Sequence, residues 1–130
     1  MKKSMLIFLA GLFLLLSACA SDSTKNRTFE ATMRNYEQII RWGDLEKANE
    51  YLKEPADFSL ERHENLKKVQ VNGYSVLSRT ITDKGLDQVV EIKYTKDASV
   101  VLRTIIDVQK WVYDEDEERW YLISKIPKFK

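Results

Sequence analysis

The sequence predicts an α+β domain in which N-terminal helices pack on a curved four-stranded antiparallel sheet. Two observations carry the prediction. Apolar residues recur at three- and four-residue spacing until about Leu66, and from Val69 onward the period drops to two, with strand formers crowded into four segments separated by polar turns. Helices that precede the strands, rather than alternating with them, give the order of an α+β chain, with the helices covering one sheet face. The segment available for this fold is residues 28–130, because residues 1–18 read as a leader and 19–27 as a short tether. One domain is the expected number at that length.

Phe29, Met33, Tyr36 and Ile40, with Ile39 beside them, place one apolar stripe on a helix from about Thr28 to Arg41. Gly43 ends or bends it. Asp44 then caps a second short helix bearing Leu45, Ala48, Tyr51 and Leu52. That helix stops before Pro55, which restricts Glu54 and lacks a backbone donor. Phe58, Leu60 and Leu66 fit a third short turn or helix.

Val69, Val71, Tyr74, Val76, Leu77 and Ile81 make the first strand, and a slip in its alternation between Val71 and Val76 predicts a bulge or bend near Gly73. Asp83-Lys84-Gly85 reverses the chain into a second strand, where Gln88, Val90, Ile92 and Tyr94 share one face and Val89, Glu91 and Lys93 the other. In the third segment, roughly Ser99 to Tyr113, the set Val100, Leu102, Thr104, Ile106, Val108, Lys110 and Val112 is expected to face the core. Val101, Arg103, Ile105, Asp107, Gln109, Trp111 and Tyr113 then face away. The acidic run Asp114 to Glu118 turns into a last strand, Arg119 to Ile126, with Trp120, Leu122 and Ile126 on one side and Pro127 as its end. Trp111, Tyr113, Tyr121 and Ile123 either leave an apolar second face, which suggests self-pairing or a pocket, or join the helix-covered set once twist and bulges are allowed for.

Lys2 and Lys3 precede an uncharged apolar run of 12 residues, Met5 to Leu16, about 18 Å long as a helix and short for a bilayer span. The plain readings are a discarded signal peptide and a short retained anchor. Leu16-Ser17-Ala18-Cys19 after that start resembles the lipobox of bacterial lipoproteins. The resemblance implies cleavage before Cys19, a diacylglyceryl thioether on that cysteine and usually an N-acyl chain such as palmitate. Several chains make the membrane attachment stable where one is marginal. Because Ala20 rather than an acidic residue follows Cys19, the resemblance further implies outer-membrane sorting in a two-membrane organism, with the domain in the periplasm. Loss of Lys2 and Lys3 leaves 19 basic against 20 acidic side chains, so no basic field attracts nucleic acid. Cys19 is the only cysteine, and once acylated it leaves no thiol for a disulfide, a nucleophile or a metal.

The run Tyr36-Glu37-Gln38-Ile39-Ile40-Arg41-Trp42-Gly43-Asp44-Leu45-Glu46-Lys47-Ala48 resembles the helix, Gly-Asp break and second helix of the cystatin-like and nuclear-transport-factor-2-like superfamily. It is similar, more closely, to small uncharacterised lipoproteins from proteobacteria. The likeness at residue level spans Tyr36 to Leu60, and the element order resembles the superfamily over nearly the whole domain. It implies a long helix in the concavity of a bent sheet and does not choose among enzymes, transport factors and assembly modules.

His63 is the only histidine, and neither an HExxH motif nor a glycine-rich phosphate loop occurs, so no metal and no cofactor is expected. His63 reads first as part of a solvated helix end and second as a lone acid-base group. If the resemblance extends to a pocket catalyst, it implies an Asp or His at the open side of the cone. Asp107 is the match, with Arg103 on the same side of its strand; the plain reading is an exposed face ion-paired to Lys93 or Glu91. Trp42 reads as packed under the sheet edge or, alternatively, as a ligand-facing ring. Trp111 and Trp120 are expected to pack together across the last hairpin. The acidic run lacks the spacing and central glycine of a calcium loop and reads as a solvated turn. Lys125, Lys128 and Lys130 with Phe129 read as an ordinary terminus, with contact to anionic lipid as the alternative.

The leading expectation is a non-catalytic envelope lipoprotein that is held to the membrane by its lipid and forms a homodimer or binds an envelope protein partner. The second is small hydrophobic-ligand binding in the cone between helix and sheet. The third is an enzyme centred on Asp107 or His63. The candidate pocket or interface residues are Tyr36, Ile40, Trp42, Tyr94, Arg103, Asp107, Trp111, Tyr113 and Tyr121. No catalytic residue is assigned.

Overall fold

The computed structural model describes residues 24–42, 44–55 and 64–130. Cys19, Gly43, Phe58, Leu60 and His63, and the readings attached to them, lie outside the described residues. Helix α1 covers residues 24–41, so it is already formed ahead of the expected start at Thr28. Its first turn is tied to the sheet, because the Trp120 indole N–H donates to the Lys25 carbonyl at 3.2 Å. The predicted stripe is the buried one: Phe29, Met33, Tyr36 and Ile40. At the other end the Asp44 N–H returns to the Ile39 carbonyl at 3.2 Å, a six-to-one closure that satisfies an otherwise orphaned helix carbonyl.

Helix α2, Leu45–Ala48, is a single turn continued by a 3-10 turn at Asn49–Tyr51. Asp44 stands at its N-cap without capping it. The carboxylate pairs instead with Lys47 Nζ at 2.8 Å. Leu45, Ala48 and Leu52 turn into the core. Of the third expected helical piece, residues 64–66 are helical and Leu66 is buried.

Strands β1 (Val69–Ile81), β2 (Gly85–Lys96), β3 (Arg103–Asp114) and β4 (Arg119–Leu122) form an open antiparallel meander in the order β1-β2-β3-β4. The register of β1 slips between Val71 and Gly73, as predicted, and again between Val76 and Ser78. Gly85 opens β2 immediately after the reversal. A Cβ there would run into the Trp111 carbonyl of β3, so only glycine lets the two backbones approach at this register.

The face of β3 is the reverse of the expected one. Asp107, Gln109 and Trp111 are buried beneath α1, whereas Thr104, Ile106, Val108 and Lys110 are exposed. Pairing explains the reversal: Gln88 faces Gln109, Val90 faces Asp107 and Ile92 faces Ile105. Residues directly opposite share a sheet face, so the unambiguous face of β2 carries these residues of β3 inward with it. Trp111 also brings more apolar area than any valine or isoleucine on the other side.

The last strand is shorter than expected. β4 stops at Leu122, and residues 123–130 leave the ladder as an irregular tail that still buries Ile126 and Phe129. Phe129 packs edge-on against Tyr94 at 5.0 Å between ring centroids. The Tyr94 hydroxyl donates to the Lys130 carbonyl at 3.0 Å and accepts from the Lys130 N–H at 3.2 Å. Phe129 is thus committed to the core, and the tail exposes Ile123 and its lysines instead. Among the described residues no helix is long and apolar enough to cross a membrane.

Candidate functional site

Beneath α1 the sheet carries a polar network where apolar packing would be the simplest solution. Gln109 is its centre and makes four side-chain bonds. Its Nε2 donates to Asp107 Oδ2 at 2.8 Å and to the Tyr74 hydroxyl at 3.0 Å, while its Oε1 accepts from Gln88 Nε2 and from Trp111 Nε1, both at 3.1 Å. That uses the amide's full hydrogen-bonding capacity. Gln88 Oε1 in turn accepts from Arg79 Nε at 2.6 Å, and Arg79 reaches Glu30 of α1 at 3.4 Å. The network therefore runs from solvent to the middle of the molecule.

One polar atom stands outside it. The Tyr36 hydroxyl is enclosed and has no hydrogen-bond partner among the described residues. Burial raises the Tyr36 pKa well above the ordinary tyrosine value, and the Asp107 carboxylate adds to the shift. Asp107 itself is pushed up to about 6 by burial, with the Gln109 hydrogen bond pulling partly the other way. Tyr74 is raised to about 12, again chiefly by burial. Each charged form is disfavoured because the site withholds water.

The candidate residues separate into three groups. Tyr36, Ile40, Tyr94, Asp107 and Trp111 lie in the interior between helix and sheet. There Tyr36 packs edge-on to both Tyr51 and Trp111, at 5.6 and 5.1 Å. Tyr113 lies at the rim, tilted against Trp120 with the Lys25 ammonium nearby. Trp42, Arg103 and Tyr121 are elsewhere. Trp42 is 81 % exposed and bonds only back to Gln38, so it does not pack under the sheet edge. Arg103 donates to the Lys130 carbonyl at 2.7 Å, and Tyr121 bonds Glu117 beneath the Arg119 guanidinium on the opposite side of the sheet. Trp111 and Trp120 pack with different rings, Tyr36 and Phe29 respectively. The expected exposed ion-paired face does not form around Asp107, because Asp107 is buried on the inward side of the sheet while Lys93 and Glu91 pair with each other on the outer side at 3.5 Å.

Gln88, Gln109 and Tyr74 were not among the candidates. Gln88 carried a legible signal, since it sits among the core residues of β2 and a buried amide requires a partner. The outer face holds the second unusual surface. Ile106 and Val108 are each 53 % exposed, with Val89 opposite Val108, and Ile123, 54 % exposed, hydrogen-bonds through its N–H to the Lys110 carbonyl at 2.9 Å. Asp87 opposite Lys110 and the Glu91–Lys93 pair flank this apolar group with both signs of charge. Among the described residues no group of three or more His, Cys, Asp or Glu is placed to hold a metal ion. Compared with protein-family models, with curated proteins and with solved structures, the chain gives no match.

Proposed function

We propose that this chain is a non-catalytic, lipid-anchored protein of the bacterial envelope whose domain acts by self-association through the outer face of its sheet. The observation that carries the reading is the exposed group Ile106, Val108 and Ile123. A contiguous apolar surface rimmed by polar residues is the usual mark of an interface. Its rim carries Asp87 and Glu91 together with Lys93 and Lys110, so two copies facing across a two-fold axis can set acid against base. A second copy is accordingly the preferred partner. The helix laid across one face of an antiparallel meander supports a cystatin-like or nuclear-transport-factor-2-like fold, and the run ending in Cys19 supports the lipid anchor.

Two measurements test the two halves separately. Cells fed labelled palmitate are expected to label the wild-type chain and not Cys19→Ser; equal labelling removes the anchor. Because Cys19 is the only native cysteine, a Val108→Cys chain carries one reporter thiol when Cys19 is acylated. Oxidation in membranes is expected to give a disulfide-linked dimer with Val108→Cys and none with Lys67→Cys, whose side chain is also exposed. Monomer from both removes the homodimer.

A further inference from the structure

We propose that a second site, at the outer edge of β4, takes a small amphiphilic anion: a single alkyl chain ending in a carboxylate or phosphate. Leu52 forms a parallel bridge with Leu122, and the Lys53 N–H donates to the Leu122 carbonyl at 3.3 Å. Beyond Leu122 the tail follows β3 instead, with Ser124 Oγ accepting from the Lys110 N–H at 3.1 Å. Between these two segments lies a cavity of about 530 Å³. Its lining comprises the nearly buried residues Leu52, Leu122 and Ile126, the exposed Ile123, Ser124, and three exposed lysines, Lys53, Lys125 and Lys128, against the single carboxylate of Glu54.

Each part selects a part of the ligand. The volume falls within the range of small-molecule sites, which combine an apolar lining with a few placed polar groups. Among the described residues Lys125 and Lys128 are in no ion pair, and the carboxylate near Lys53, on Asp114, is 3.9 Å away. Like charges gathered at one mouth repel, and a bound anion relieves that repulsion. A free phosphate would leave the exposed Ile123 side chain wet, and a neutral alkyl chain would leave the lysines uncompensated. Leu52 already occupies the edge of β4 at Leu122, which favours a small molecule over an added peptide strand. The backbone bridge holds the walls before binding, so little ordering opposes it. This site does not depend on the lipid anchor, and of the apolar group on the outer sheet face it shares only Ile123.

The test uses the full chain in phosphatidylcholine nanodiscs, with empty nanodiscs as the partition control, and follows the methyl resonances of Leu122 and Ile126. Octanoate and octyl phosphate, kept below micelle formation, are expected to give saturable shifts there. Octyl glucoside and inorganic phosphate, each carrying one half of the recognition, are expected to bind at least ~10-fold more weakly, a difference of about 1.4 kcal/mol. Lys125→Gln with Lys128→Gln is expected to weaken the anionic amphiphiles by a similar factor without lowering the melting temperature, since both side chains are exposed. A preference between octanoate and octyl phosphate identifies the head group, and either one supports the site. Equal binding of octyl glucoside, equal binding of inorganic phosphate, indifference to the lysine changes, or shifts centred on Tyr36 and Trp111 instead would each overturn it.

Discussion

On the side covered by α1 the sheet buries Gln88, Asp107 and Gln109 beside Val90, Ile92 and Trp111, whereas on the other side Ile106 and Val108 meet solvent. Hydrophobicity counted along β3 therefore points to the wrong face. What separates the two sides is satisfaction and size. The covered side holds the large rings and gives nearly every polar atom a partner, while the outer side holds β-branched residues with no layer over them. A buried amide with four bonds is compatible with a core, since burial penalises unpaired polar atoms far more than paired ones.

The comparison is broken most severely by Trp111→Ala, which empties space against Tyr36 and Tyr51 and leaves one Gln109 bond unmade. A loss of about 4 kcal/mol is expected in denaturant unfolding; a loss below about 1 kcal/mol would show that the ring is not part of the core.

Asp107→Asn sharpens the same side by reversing the sign. A carboxyl whose folded pKa is raised, here from 3.8 to about 6, contributes stability that is full below its unfolded value and is lost as pH rises through the folded one. Asparagine keeps an oxygen for Gln109 and cannot ionise. The variant is expected to be more stable than wild type at about pH 7.5, by on the order of 2 kcal/mol, and to lack the decline between about pH 4 and 6.5. Thermal melts across that range check it, and parallel profiles for the two chains would refute it.

On the outer side Ile106→Lys is expected to leave the unfolding free energy within about 0.5 kcal/mol, as for other exposed positions, yet to abolish the cross-linked dimer of the Val108→Cys chain. Persistence of that dimer would place the contact elsewhere. The smallest effect is expected for Trp42→Ala. With the ring 81 % exposed and bonded only to Gln38, a change in melting temperature beyond about 2 °C would mean that it packs against something.

The legible parts were those with one dominant period. Phe29, Met33, Tyr36 and Ile40 gave α1 its buried stripe, and Gln88 to Tyr94 gave β2 its inward face. In β3 both parities hold branched aliphatics, so alternation defines two sets and leaves their direction to the pairing with β2. Tyr36 and Trp111 were named together for a cone between helix and sheet, but the same alternation set Asp107 and Trp111 on the face away from the core, which the structure reverses. Gln109 was not legible, because its importance comes from the register that sets it opposite Gln88, a non-local fact. Trp42 was misjudged for a related reason: the helix ends at Arg41 as expected, but the indole N–H donates back to the Gln38 side chain rather than meeting the sheet edge.

The contacts of α1 also set an order of events. Tyr36 waits for Trp111, Phe29 waits for Trp120, and the Lys25 carbonyl is claimed by an indole 95 positions downstream. Such long sequence separations slow folding, because the loop must close before its contacts reward it. In a nascent chain the apolar residues of α1 therefore stay uncovered until the final hairpin exists. Synthesis stopped before Trp111 is expected to leave that apolar stripe exposed rather than to give a smaller version of the domain.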